Sequence, residues 1–137
     1  MVRTARLLIV LLGLGLYSKA QPRIDSLESI VALNLRDAKQ AEALYKLGVY
    51  YERNDYAKAV RYHRECIQLS QKIQEGWYAM SSYRLGYLYG SRSMPDSAAY
   101  HYKVAEDYYK KNPEDKRGFS GFLTSRGIYW RERERYE

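Results

Sequence analysis

The sequence predicts an all-α protein made of antiparallel helix pairs, and three observations predict it. The first is an internal repeat. Leu44, Leu47, Gly48 and Tyr51 return as Ser82, Leu85, Gly86 and Tyr89, and more weakly as Leu123, Arg126, Gly127 and Trp130, with the glycines 38 and then 41 positions apart. A period of about 20–50 residues marks an architecture in which each unit buries its apolar side against the next. The second is helical periodicity: Leu27, Ile30, Val31 and Leu35 fall on one face over 26–36. The third is punctuation. Proline is scarce, no Gly/Ser linker interrupts the chain, and Asn54, Asp55, Pro95, Asn112 and Pro113 sit where helices would start or stop.

Taken from the N-terminus, residues 1–20 read as a secretory signal peptide, with Arg3 and Arg6 ahead of the apolar run Leu7 to Leu16. Spanning a bilayer takes roughly 20 consecutive apolar residues, about twice this run. Ser18 and Ala20 are small residues suited to cleavage between Ala20 and Gln21, and an uncleaved anchor is the alternative. The expectation is an exported chain, periplasmic or secreted. Loss of Arg3, Arg6 and Lys19 lowers the formal charge from +7 to +4. The remaining Lys and Arg interleave with Asp and Glu as on solvated helix faces, so no nucleic-acid function is expected.

Residues 21–137 are expected to form one helical domain. An additional helix at about 24–36 would cover the exposed end of the stack. The first unit spans about 41–72, the second about 77–111, and an incomplete third about 117–137. The polar stretches 71–76 and 110–118 are read as connections. Cys66 stands alone, so no internal disulfide contributes and stability rests on packed apolar surface. Sixteen tyrosines suggest many half-buried positions, ring inward and hydroxyl outward.

Within the units a small residue, a ring four positions later and another small residue three further on recur as Ala59, His63, Cys66 and as Ala98, Tyr102, Ala105. Together with Leu44, Leu47, Gly48, Tyr51 and Leu85, Gly86, Tyr89, this pattern resembles the tetratricopeptide repeat from about Ala41 onward. The resemblance implies a short right-handed solenoid. In it Gly48 and Gly86 let paired helices approach, Ala59 and Ala98 supply the matching flat spots, and Gly127 and Trp130 take the same packing roles in the third unit. It also implies a concave face lined by the first helix of each unit, here Tyr45, Val49, Glu52 and Arg53, then Tyr83 and Tyr87.

The same register places Arg135, Tyr136 and Glu137 where Asp55, Tyr56 and Ala57 begin the second helix of the first unit. Phe122, Ile128 and Trp130 would then lack a partner helix, which predicts the N-terminal part of a longer protein; the alternative is a charged end, 131–137, closing a short one.

Catalytic readings find little to assemble. His63 occupies a ring position of the helix interface, His101 is expected on the surface, and Cys66 reads as a buried small residue. Glu106, Asp107, Glu114 and Asp115 are adjacent carboxylates that point apart on a helix. Phosphate loops and the H-E-x-x-H, C-x-x-C and G-x-S-x-G patterns are absent from the sequence. No enzyme, cofactor or metal is therefore expected. The expectation is an interaction scaffold for a peptide or protein partner, with membrane association only through the leader or a downstream segment. The alternative is the extracytoplasmic sensor region of a signalling protein, a histidine kinase or transcriptional regulator.

Overall fold

A computed structural model of the chain describes residues 23–73 and 76–134. Among them are six α-helices and no strand: α1 over 23–32, α2 Ala38–Tyr51, α3 Tyr56–Lys72, α4 Trp77–Gly90, α5 Pro95–Lys111 and α6 Lys116–Arg133. The expected leader, its cleavage point at Ala20 and Gln21, and the last residues, 135–137, lie outside the described residues. No described helix is long and apolar enough to cross a membrane.

Local chemistry sets the helix ends. Asp37, Asp55 and Asp115 start α2, α3 and α6, each carboxylate accepting from an N–H three residues on at 2.9–3.0 Å. Pro95 opens α5, where its missing N–H costs nothing. Asn112 closes α5 by donating to the Tyr108 carbonyl from both its backbone N–H and its Nδ2.

The additional helix is shorter than expected. Asn34 and Arg36 have φ of 49° and 56°, left-handed values that end a helix, and the Arg36 N–H donates to Gln40 Oε1 at 2.7 Å. Leu35 is therefore outside the helix and 54% exposed, while Ile24 joins Leu27 and Val31 in the core. The connections are also shorter than their polarity suggested. Gln71, Lys72, Lys110 and Lys111 belong to α3 and α5, and α6 begins at Lys116, because exposed helix faces are as polar as loops.

Side-chain pairings define the packing. Gly48 lies against His63 and the Ala41 carbonyl against Cys66, so α2 and α3 run antiparallel; Gly86 with Tyr102 and Gly76 with Tyr108 do the same for α4 and α5. Tyr45 meets Trp77 and Glu52 meets Arg84, so α2 and α4 are parallel. Tyr83 against Gly121 and Gly90 against Tyr129 continue that order to α6. Helices α2, α4 and α6 thus form one layer, each touching the next, while among the described residues α3 and α5 do not contact each other. One apolar cluster joins α1, α2 and α3 through Ile24, Leu44, Leu47, Tyr62 and Cys66. The other centres on α4 and α5, with Leu85, Leu88, Tyr89, Tyr102 and Tyr109, and takes in Phe122 and Tyr129 of α6.

On α6 the face carrying Gly127 and Trp130, expected to lack a partner helix, is open. Gly127 has no atom within 4 Å of where a Cβ would stand, and Trp130 is 51% exposed. Helix α6 is held instead by another face, where Phe122 is 1% exposed and Tyr129 fills the space over Gly90. Phe122 is accordingly a core residue rather than part of an uncovered side. The reason is that among the described residues α6 meets only α4 and α5, and the Gly127 face is turned away from both.

Candidate partner-binding face

The six residues expected on the concave face separate into four groups, Glu52 standing by itself. Tyr45, Val49 and Tyr87 are half-buried, on the α2–α4 layer, and Val49 and Tyr87 hold the same repeat position. Arg53 is exposed in the turn after α2. Tyr83 is only 4% exposed: its hydroxyl reaches Gly121 and its ring packs on Phe122, so it belongs to the α4–α6 interface. Burial drives the Tyr83 phenol pKa upward, which keeps it a neutral hydrogen-bonding group.

Glu52 is the organising residue, with only 11% of its side chain exposed. Its carboxylate accepts from Arg84 at 3.1 Å and from His63 Nε2–H at 3.1 Å, and the Nδ1 of His63 accepts from the Ser81 hydroxyl at 3.3 Å. The acceptor-only carboxylate sets this tautomer. Burial lowers the His63 pKa, opposed by its bond to Glu52, so the ring is neutral at pH 7. Ser81, His63 and Glu52 line up as a hydroxyl, an imidazole and a carboxylate, the order used in nucleophilic hydrolysis. Here Ser81 and His63 are both 0% exposed, so no substrate carbonyl reaches the hydroxyl. The chain of bonds ties α2, α3 and α4 together and holds Arg84 beside the end of α2. Arg84 and Ser81 had no signal in the sequence, since neither recurs with the repeat.

Cys66 is fully buried, its Sγ donating to the Ala41 carbonyl at 3.3 Å, and burial raises its thiol pKa. Such a thiol is a poor nucleophile. Among the described residues no group of three or more His, Cys, Asp or Glu is placed to hold a metal ion.

His101, expected on the surface, is half-buried. It stacks on Tyr89 at 5.4 Å and 26°, and its Nδ1 is buried without a hydrogen-bond partner. It lies in a shallow depression of about 350 Å³ where α3 and α5 diverge over α4, beside Arg64, Met94 and Tyr100. Burial first, and the Arg64 charge second, lower its pKa from 6.5 to about 4. As pH falls from 6.5 toward 4, the unfolded chain takes a proton that the folded chain refuses, so stability present above 6.5 is lost across that window. After allowance for solvent screening the loss is about 1–2 kcal/mol. The His101→Phe variant keeps the ring stack and should show a flatter Tm between pH 7 and 4.5; the part of the slope due to His63 remains. An unaltered slope in the variant would assign the pH dependence elsewhere.

Comparison with family models, curated proteins and solved structures finds no match to this chain.

Proposed function

We propose that this chain is an exported, short tetratricopeptide-type solenoid that binds a peptide or protein segment on its inner face and performs no chemistry of its own. The observation that carries the reading is the parallel α2–α4–α6 layer, with half-exposed Tyr45, Val49 and Tyr87 beside the Glu52–Arg84 pair. Tyrosine rings offer contact area at small entropy cost, and an ion pair fixed across two helices presents polar groups already oriented. The repeat of Val49 as Tyr87 supports a surface continuous from one unit to the next. Export follows from the leader-like 1–20, and the groove then faces a periplasmic or extracellular partner.

Selection of ligands from a random peptide library against the chain tests this reading. Selected peptides should lose at least about tenfold in affinity, roughly 1.4 kcal/mol, on Tyr87→Ala. Tyr83→Ala should instead lower the melting temperature, because that ring is core. Absence of any selective peptide, or binding indifferent to Tyr87→Ala at unchanged helicity, would remove the inner face from consideration.

A further inference from the structure

Helix α6 carries three large apolar side chains open to solvent: Phe119 at 42%, Leu123 at 43% and Trp130 at 51% exposure. With Gly127 they follow the helical period and share one stripe. Gly48 and Gly86 hold the equivalent repeat position, and each is filled by a ring, His63 over the first and Tyr102 over the second. Gly127 faces open space. The stripe is therefore a knob, Leu123, one turn from an empty socket, Gly127.

We propose that this face docks a second copy of the chain, α6 against α6 in antiparallel order, with Leu123 of each copy seated over the partner's Gly127. That register decides the neighbours of every exposed residue on the stripe. The small Ser120 comes beside the partner's Trp130. Lys116 at the start of the helix comes beside the partner's Glu134 at its end, twice by symmetry. Residues 116, 119, 120, 123, 127, 130, 131 and 134 are all exposed, so the contact needs no rearrangement. A parallel arrangement would oppose Lys116 to Lys116 and align both helix dipoles, and it would seat no knob in the socket. The charge order and the knob and socket are complementary only when one copy is turned end for end. This inference stands apart from the proposed groove function; a dimer so formed would present two inner faces and gain by avidity.

Sedimentation equilibrium of the full chain from about 1 to about 200 µM tests the proposal, and a reversible monomer–dimer equilibrium is expected. Gly127→Gln fills the socket at a position where the monomer has free space, so it should weaken the dimer at least about tenfold with an equal or higher monomer melting temperature. Lys116→Glu should weaken it too, and the double variant Lys116→Glu, Glu134→Lys should restore it. A chain monomeric throughout that range overturns the proposal. So does a dimer that survives Gly127→Gln, or a double charge reversal that restores nothing.

Discussion

Gly48→Ala is expected to destabilise the fold by about 3 kcal/mol or more, although alanine is the better helix former by about 1 kcal/mol. A Cβ at residue 48 would stand 2.6 Å from Cε1 of His63 and 2.7 Å from both ring nitrogens. The ring cannot swing aside, because Nε2 is bonded to Glu52, Nδ1 to Ser81, and the residue is 0% exposed. Overpacking a close helix contact costs about 1–3 kcal/mol, and each buried bond broken in making room costs about as much again. Urea unfolding measures the loss. Gly127→Ala is the matched control, since its new methyl meets nothing within 4 Å and should add up to about 1 kcal/mol. If the two alanines shifted the urea midpoint alike, close α2–α3 approach would not be what residue 48 provides.

Phe122→Ala should cost about 3–5 kcal/mol, the range for deleting a buried ring. Phe122 is 1% exposed and lies 5.6–6.5 Å, centroid to centroid, from the rings of Tyr83, Tyr102, Tyr109 and Phe119. Because these rings belong to α4, α5 and α6, the loss is local to that end of the stack. Amide exchange in α6 should accelerate well before exchange in α2 and α3. Trp130→Ala, a larger truncation on the same helix, should stay within about 0.5 kcal/mol in the monomer because that ring is half in water. Uniform acceleration across all helices would mean that the stack unfolds as one unit and that Phe122 has no special hold on α6.

Much of the fold was legible because repeat period and helix punctuation are one-dimensional signals. Asp55 and Pro95 start helices by chemistry local to themselves. Leu44, Leu47, Ala59, Leu85, Ala98 and Ala105 are buried at 0–2% exposure, at positions that recur with the period. The site was less legible. Tyr83 and Tyr87 are both tyrosines four apart on one helix, yet one is buried by α6 and the other is half-open. That difference depends on a helix more than 30 residues away. Periodicity also missed Gly76, Gly90, Gly118 and Gly121, each meeting a tyrosine from a neighbouring helix, since these partners do not repeat from unit to unit.

By itself, the sequence determined that the described chain is helical, where most helices begin, and which small residues permit close pairing. Those properties follow from backbone hydrogen bonding, capping and side-chain volume, all of which act over a few residues or recur with a fixed period. Only the tertiary structure decided which faces are covered. It turned Glu52, read as a groove charge, into the centre of a bonded chain through Arg84, His63 and Ser81. It also stacked His101 on Tyr89, and left Gly127 and Trp130 of α6 facing water. Burial is a property of what lies opposite a residue, and the opposite surface comes from helices distant in sequence.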